Sequence, residues 1–281
     1  MAARPRELDP TESVPAYYGA ELRRLRTAAG LSHARLGEIV CYSPAMIGHV
    51  ETTTRMPTRE LSEALDAALD TDGYFSRLYP LVIRAAIPGR YRRFMELEAQ
   101  ASSLCTYGLD TVPGLLQTEE YARAMLRIGR PRDEARLEEL VAARMERQAL
   151  LNGPSPASLW VVLDEAVVRR PVGGRAAMRE QLAHLLVMAE HPNIHLQLLP
   201  IDHGEHAAMG SALWLLHFSD GPDIAYLEGG WGGQLIEAYE EVVAHQLTYN
   251  LLRANALPPD ESAAFIQTVM EASFPWRPPA T

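Results

Sequence analysis

The fold of the amino-terminal part is decided by LRRLRTAAGLSHARLGEIVCYSPAMIGHVETTTRMP, residues 22–57. Leucine and alanine recur at three- and four-residue intervals before Gly30, which is the spacing of one helix face followed by a residue that ends helices well. Ser32 precedes a second apolar run with this spacing. Ser43 followed by Pro44 is the pattern of a helix cap and a first helical residue. The stretch therefore predicts three short helices joined by tight turns.

Two more helices are predicted directly after this stretch. Thr58 is a suitable cap for a fourth helix, and a fifth follows at about 74–86. Residues 1–15 are mostly polar and contain three prolines, which predicts a loose tail. The first domain is thus predicted at 16–87, with a mainly α fold of five helices.

The composition is that of an ordinary globular protein, with 47% hydrophobic and 22% charged residues among 281. No apolar run is long enough to span a bilayer, and the first residues contain no apolar segment of the kind that directs secretion. Cys41 and Cys105 lie far apart without a metal-binding spacing and are expected to be reduced thiols. We therefore expect a cytoplasmic protein with no membrane contact.

Charge is distributed unevenly along the chain, whose net charge is −10. Residues 151–281 contain 6 arginines and 15 acidic residues, a net charge of −9, whereas residues 17–59 contain 6 arginines and 3 acidic residues, a net charge of +3. A basic patch on an acidic protein is compatible with DNA binding of modest affinity. Such binding would be sensitive to salt.

Residues 22–57 resemble the helix-turn-helix of the Cro/repressor-type (Xre) family of transcriptional regulators. In such units one helix places its amino-terminal side chains on base edges in the major groove, and the preceding helix crosses the phosphate backbone. The resemblance implies sequence-specific binding to double-stranded DNA. The residues that we expect to contact DNA are Arg23, Arg24, Arg26, Ser32, His33, Ser43, Ala45, Met46, His49 and Arg55.

The base-reading positions of the family fall on Pro44, Ala45, Gly48 and His49, and here the chain departs from the family pattern. The first three have no hydrogen-bonding side chain, whereas family members usually have polar or basic residues there. Direct readout is therefore expected to be weak, with dimer geometry and DNA shape contributing to specificity. The alternative is a helical bundle that has kept the shape of the family but lost its affinity for DNA.

The remaining two-thirds of the chain resemble the carboxy-terminal domain of uncharacterised function that follows such units in actinobacterial regulators. The resemblance rests on segments that occur in the same order, among them VPGLLQTEEYAR (112–123), RMERQ (144–148), VVLDEA (161–166) and HAAMG (206–210). It implies an antitoxin-like regulator, often encoded beside a small partner protein. It implies no activity for any single residue.

A helical connector is predicted over 88–155, with helices near 91–104, 117–129 and 132–151. Residues 156–281 alternate short β-prone runs with helical segments, which predicts a mixed α/β domain. The apolar side of the helix at 132–151 fits either core packing or dimerisation, and both interpretations stay open.

The sequence contains no recognisable constellation for catalysis or metal binding. Five histidines fall within 191–217 without a metal-ligand spacing, so we interpret them as ordinary loop and strand residues. Asp164 and Glu165 are adjacent and would point apart on regular structure. Residues 229–233 lack the glycine spacing of a nucleotide-binding loop and are interpreted as a turn. We expect no enzymatic activity, no cofactor and no metal site.

These observations predict a transcriptional regulator that occupies DNA as a homodimer. Its domain at 156–281 is expected to bind a partner protein or a small-molecule effector. The alternative is an antitoxin-like interaction module, whose acidic half binds a small partner and whose DNA binding is weak or vestigial.

Overall fold

The computed structural model of the protein describes residues 9–275, except 87–88, 132, 154 and 230–231. Most of the predicted tail lies outside this part, and only its residues 9–15 are described. No helix in the described part is long and apolar enough to cross a membrane.

The chain divides into two compact units, which are described separately below. Unit 1 consists of Met1–Pro88 and Gly129–Glu146, and unit 2 consists of Gly89–Ile128 and Arg147–Thr281. The stretch 88–155, predicted as a helical connector, is therefore shared between the two units.

The elements of both units are numbered in chain order over the described residues. The α-helices are α1 Val14–Ala28, α2 His33–Val40, α3 Pro44–Glu51, α4 Arg59–Leu69, α5 Tyr74–Ala86, α6 Gly89–Glu98, α7 Glu119–Ile128, α8 Glu134–Glu146, α9 Glu165–Arg169, α10 Arg175–Ala189, α11 Tyr239–Asn255 and α12 Pro259–Ser273. The strands are β1 Ser103–Gly108, β2 Ser158–Asp164, β3 Ile194–Leu199, β4 Ala212–His217, β5 Ile224–Gly229 and β6 Gly232–Ile236.

Unit 1 begins with the five helices that the sequence predicts, α1 to α5, and local capping explains where they start. The hydroxyls of Ser32, Ser43 and Thr58 each accept a hydrogen bond, at 3.1 Å, from the amide three residues further along. The hydroxyl of Ser13 caps α1 in the same way at 3.2 Å. Because this cap precedes the predicted domain start, α1 begins at Val14, inside the predicted tail.

The core of unit 1 holds these short helices at close range. Its buried side chains include Tyr18, Leu22, Leu36, Ile47, Val50, Leu61, Leu65, Phe75 and Val82. Gly19 permits α1 to approach α3, because a Cβ at this position would lie 2.8 Å from the carbonyl oxygen of Glu51. The helices therefore pack more closely than any larger side chain at position 19 would allow.

α8 belongs to unit 1, where it packs against α5. Leu137 and Val141 are buried, and Ala143 joins the core of the unit. The hydroxyl of Tyr79 donates to Glu146 Oε2 at 2.8 Å. Of the two interpretations of the segment 132–151, core packing is therefore the one that these contacts favour.

Unit 2 is built on a six-stranded sheet with the order β3-β2-β1-β4-β5-β6. β1, β2 and β3 are mutually parallel, whereas β4, β5 and β6 continue the sheet in antiparallel fashion from β1. Leu104 faces a core shared with α10 and α12, and its neighbour Cys105 faces a core shared with α11. The mixed α/β prediction for the carboxy-terminal domain is confirmed.

Two strands differ from the sequence interpretation. The helical pattern predicted near 91–104 ends at Glu98, and Ser103 begins the central strand β1. The residues Leu104–Gly108 are buried or nearly so on both faces, so they lack the alternation that marks a half-exposed strand. The turn predicted at 229–233 is shorter than expected, because Gly229 ends β5 and pairs with Gly232, which begins β6. Gly230 and Trp231 lie outside the described residues.

Candidate nucleic-acid interface

α2 and α3 are joined by the tight turn that the sequence predicts. Cys41 adopts the left-handed conformation, with a φ of 60°, and its amide donates to the carbonyl oxygen of Gly37. A Cβ at Gly37 would lie 2.5 Å from the carbonyl oxygen of Tyr42. The chain can therefore reverse this sharply only because residue 37 has no side chain.

α3 has one buried and one exposed face. Ile47 and Val50 are fully buried in the core of unit 1. Ser43, Pro44, Ala45 and His49 are exposed, and Met46 and Gly48 are partly so. The structure thus places Ser43 and Ala45 at the amino-terminal end of α3 and His49 in its last turn, all of them exposed.

The amino termini of α2 and α3 carry predicted hydroxyl contacts. Ser32 and Ser43 are exposed, and each hydroxyl oxygen accepts from a backbone amide while its hydrogen remains able to donate. The free amides and the dipole of a helix amino terminus favour a bound phosphate. Ser32 is thereby suited to a backbone contact that carries no sequence information.

Three of the residues that were predicted to contact DNA are paired with a buried carboxylate of unit 1. Glu51 is 1% exposed, and its oxygens accept from Arg26 Nε at 2.5 Å, from Arg23 Nε at 3.4 Å and lie 2.9 Å from His33 Nε2. Arg26 also donates to the carbonyl oxygen of Leu31 at 2.7 Å. We call these four charged or titratable residues, Glu51, Arg23, Arg26 and His33, the Glu51 cluster.

The contacts within the Glu51 cluster alter the pKa of Glu51 and limit the access of Arg26 to DNA. Burial raises the pKa of Glu51, but hydrogen bonds from Arg26 and His33 outweigh this effect and hold the pKa below its ordinary value. The side chain of Arg26 is only 13% exposed, so its guanidinium stabilises the packing of α1 on α3 rather than reaching a phosphate. Sequence reasoning missed this role of Glu51, although its position on the buried face of α3 is a signal for it.

Arg24 and Arg55 are the predicted arginines that lie at the surface. The side chain of Arg24 is 61% exposed and pairs with Glu21, whose Oε2 lies 2.8 Å from its Nη2. Arg55 is exposed, and its Nη1 lies 3.8 Å from the sulfur of Met46 on α3. An exposed ion pair such as Arg24–Glu21 is weak enough to exchange its carboxylate for a phosphate.

The turn that follows α3 is made of three threonines. The hydroxyls of Thr52 and Thr54 donate to the carbonyl oxygens of Gly48 and His49, which also accept from backbone amides of the turn. Thr53 has a φ of 56°, a left-handed conformation that is costly for a β-branched residue.

A second buried carboxylate in unit 1, Asp66, was not anticipated from the sequence. Its oxygens accept from the amides of Phe75 and Ser76, each at 2.8 Å, and from the hydroxyls of Thr71 and Ser76. Burial raises the pKa of Asp66, but these hydrogen bonds outweigh it and lower the pKa overall. Asp66 therefore fixes the start of α5 against α4.

In unit 2, the segment VPGLLQTEEYAR is a loop at 112–118 that leads into α7 at Glu119, and neutral side chains hold the loop. Gln181 on α10 accepts from the amide of Thr118 and donates to the carbonyl oxygen of Leu116, both at 2.7 Å. Three further hydrogen bonds tie the same loop, made by the side chains of Gln117, Gln148 and Tyr121. We call these four residues, Gln181, Gln117, Gln148 and Tyr121, the Gln181 cluster. The motif thus has a packing role.

The histidines of the carboxy-terminal domain are dispersed. His206 Nε2 lies 3.1 Å from the hydroxyl of Tyr107, His195 lies against the Trp160 ring, and His217 pairs with Asp223. Burial lowers the pKa of His206. Among the described residues, no group of three or more His, Cys, Asp or Glu side chains is arranged to hold a metal ion.

Asp164 and Glu165 point in different directions, as adjacent residues on regular structure do. Asp164 Oδ1 accepts from the amide of Ala166 at 2.8 Å and so caps α9. Glu165 Oε2 accepts from the amide of Ile201 at 3.0 Å. Each carboxylate is committed to a different backbone segment.

Comparison with known families assigns both parts of the chain. A helix-turn-helix domain model matches residues 18–74, and the model of a domain of unknown function (DUF5753) matches residues 91–268. No curated protein and no solved structure matches the chain. The helix-turn-helix domain indicates a DNA-binding regulator. The chain belongs to the DUF5753 family, and its DUF5753 domain follows a helix-turn-helix domain.

Proposed function

We propose that the protein is a cytoplasmic transcription regulator of the Cro/repressor (Xre) type, which binds double-stranded DNA as a dimer with α3 in the major groove. The observation that carries this proposal is that α3 has one buried and one exposed face. Its buried side anchors it through Ile47 and Val50, while Ser43, Ala45 and His49 face solvent together. This is the arrangement that a recognition helix needs.

Affinity in this proposal comes mainly from the DNA backbone. Arg24, Arg55 and the amino terminus of α2 at Ser32 supply phosphate contacts, whereas Pro44 and Ala45 offer bases no hydrogen bond. His49 and the hydroxyl of Ser43 are the polar groups left for direct readout. Specificity therefore depends also on DNA shape and on the spacing of two half-sites.

Unit 2 is proposed to have a regulatory role and no enzymatic activity. The side chains of the Gln181 cluster, Asp164 and Glu165 each make a hydrogen bond to the backbone, as expected of structural residues. In an antitoxin-like regulator of the actinobacterial group, this unit would bind a small partner protein or a small-molecule effector. Binding there would change the affinity or spacing of the DNA-binding units.

The test is fluorescence anisotropy with a duplex from the region upstream of the protein's own gene, at low salt, against a shuffled duplex. Arg55→Ala should weaken binding to both duplexes by about tenfold and reduce the salt dependence by about one phosphate contact. His49→Ala should reduce the preference for the native duplex. Arg170→Ala, an exposed arginine of unit 2, is the matched control and should bind normally. Equal, unmeasurable binding to both duplexes would contradict the proposal.

The interaction module with weak DNA binding remains a second candidate. The observation that favours it is the small, apolar surface of Pro44, Ala45 and Gly48 on α3. Anisotropy with and without the product of the neighbouring gene discriminates the two. If that product binds the protein tightly and no duplex is preferred in either condition, the second candidate is the correct one.

A further inference from the structure

α11 is fixed to unit 2 by one face only. Val242, Tyr249 and Leu252 are buried against the sheet, and the hydroxyl of Tyr249 donates to the carbonyl oxygen of Trp160 at 3.1 Å. These three residues follow the helical repeat and so define one side of the helix. The position and rotation of α11 on the sheet are therefore determined by these contacts.

The opposite face of α11 is apolar and exposed. Tyr239, Val243, Leu247 and Leu251 recur at four-residue intervals and are 76%, 48%, 60% and 52% exposed. We call these four residues the α11 stripe. Helical geometry places Leu247 on the side opposite the buried residues, with the exposed Ala244 and Ala254 beside the stripe. A helix that is apolar on both faces is characteristic of one that is buried on both.

We propose that the α11 stripe is the surface through which two copies of this chain pair, with the two α11 helices antiparallel. The proposal rests on the proposed function, in which a two-fold dimer binds DNA. The exposed apolar side chains are spaced almost symmetrically along α11 on either side of Leu247. Val243 and Leu251 are four residues to either side, so in an antiparallel pair each faces the other across the two-fold axis. A self-complementary patch is what an isologous interface requires.

Charge favours the antiparallel arrangement over the parallel one. Glu237, Glu240 and Glu241 lie exposed at the amino-terminal end of α11. Arg253 lies exposed at the other end on the ring of Trp160, and among the described residues no carboxylate is within ion-pair distance of it. A parallel pair would bring six carboxylates together. An antiparallel pair keeps the two acidic ends apart along the helices.

The surface that the sequence suggested for dimerisation is occupied. The apolar residues Leu137 and Val141 of α8 are buried within unit 1. α11 is the longest helix in the described residues, and four large apolar side chains on one line give it the aliphatic and aromatic centre typical of a homodimer interface.

The first experiment measures the molar mass of the full chain by light scattering across a concentration series, without DNA. The wild-type protein is expected to be a dimer and Leu247→Glu a monomer. Val187→Glu, which changes an equally exposed valine on α10, is the matched control and should stay dimeric. Val243→Glu is a second disrupting variant, and circular dichroism verifies that each variant is folded. A monomeric wild type, or a dimeric folded Leu247→Glu, overturns the proposal.

The second experiment tests the orientation by disulfide formation in a Cys41→Ser background. Leu247→Cys lies at the proposed two-fold axis and should cross-link the dimer rapidly on oxidation. Tyr239→Cys lies about 24 Å along the helices from its symmetry mate and should not cross-link. Rapid cross-linking of both variants would indicate parallel helices and overturn the antiparallel pairing.

These results are separable from those on DNA binding. A dimer that prefers no duplex would contradict the proposed function and leave the α11 pairing intact. A monomer that binds the native duplex would contradict the α11 pairing and leave DNA binding intact.

Discussion

The Glu51 cluster of unit 1 and the Gln181 cluster of unit 2 hold backbone segments in place with different chemistry, although unit 2 also contains a buried ion pair between Glu98 and Arg147. In unit 1 the Glu51 cluster holds α1, α2 and α3 together through a buried carboxylate and two arginines. In unit 2 the Gln181 cluster holds the loop 112–118 through amide side chains and a tyrosine, all of them neutral. Both clusters satisfy polar groups that are removed from water.

The comparison of the two clusters shows which segments depend on an ionised side chain for their stability. Removing one partner of a buried ion pair leaves an uncompensated charge, whereas removing a neutral side chain leaves only unpaired hydrogen-bonding groups. Short helices such as α2 and α3 gain fixed geometry from an ionised cluster of this kind. The cost is that this geometry responds to pH.

The largest expected effect is that of Glu51→Gln, which should reduce the free energy of unfolding of unit 1 by about 3–5 kcal/mol, because Arg26 is left buried without a counter-charge. Hydrogen exchange of the amides in α2 and α3 measures this loss directly. Glu38→Gln breaks the exposed pair with Arg35 and is the control, with an expected change below about 0.5 kcal/mol. Similar exchange rates in the two variants would show that the Glu51 cluster stabilises unit 1 no more than an exposed ion pair does.

Gln181→Leu should have the next largest effect, a loss of about 2–3 kcal/mol in unit 2, because it leaves the amide of Thr118 and the carbonyl of Leu116 unpaired. Trp160 and Trp214 lie in unit 2 and unit 1 contains no tryptophan, so tryptophan fluorescence during urea unfolding reports this unit. Gln267→Leu, at an exposed position of α12, is the control. A loss equal to that of the control would contradict a structural role for the motif.

Lowering the pH should distinguish the two clusters further. The pKa values of Glu51 and Asp66 are lowered on folding, so their stabilisation is complete above the ordinary values of 4.5 and 3.8 and is lost as pH falls through the folded pKa. The Gln181 cluster has no group that ionises in this range, since burial raises the pKa of Tyr121 to about 12. Hydrogen exchange at decreasing pH should therefore show α2, α3 and α5 opening before the loop 112–118. In Glu51→Gln the acid dependence of α2 and α3 should flatten, and an unchanged slope would argue against Glu51 as its source.

The smallest expected effect concerns the turn after α3. Thr53→Gly should raise the free energy of unfolding of unit 1 by about 1 kcal/mol, because glycine adopts the left-handed conformation without a steric penalty. Thr54→Gly is the matched control and should destabilise, since it removes the hydroxyl that donates to the carbonyl of His49. Thermal unfolding followed by circular dichroism measures both. A destabilised Thr53→Gly would contradict the inference that the left-handed conformation of Thr53 lowers the stability of unit 1.

Much of unit 1 could be predicted because its signals are local. Ser32, Ser43 and Thr58 cap helices at the predicted positions, since each hydroxyl needs only an amide three residues away. In unit 2, β1 was missed because a central strand buries both faces and shows no alternation. β6 was missed because its first residues, Gly232 and Gly233, are typical of turns.

The candidate site was predicted in outline and changed in detail. The exposure of Ala45 and His49 on one face of α3 follows from helical spacing, and Ser43 is the residue that caps this helix. The commitment of Arg26 to Glu51 does not, because the two residues are 25 positions apart and meet only when α1 packs on α3.

The sequence by itself determined the five amino-terminal helices, the turn between α2 and α3, and the class of the second domain. Capping, helical periodicity and glycine conformation act within a few residues, so they can be read along the chain. The tertiary structure decided the order of the strands, the burial of Glu51 with its arginines and the exposure of the α11 stripe. These depend on contacts between distant segments, and only packing decides whether an apolar helix face is covered or left in water.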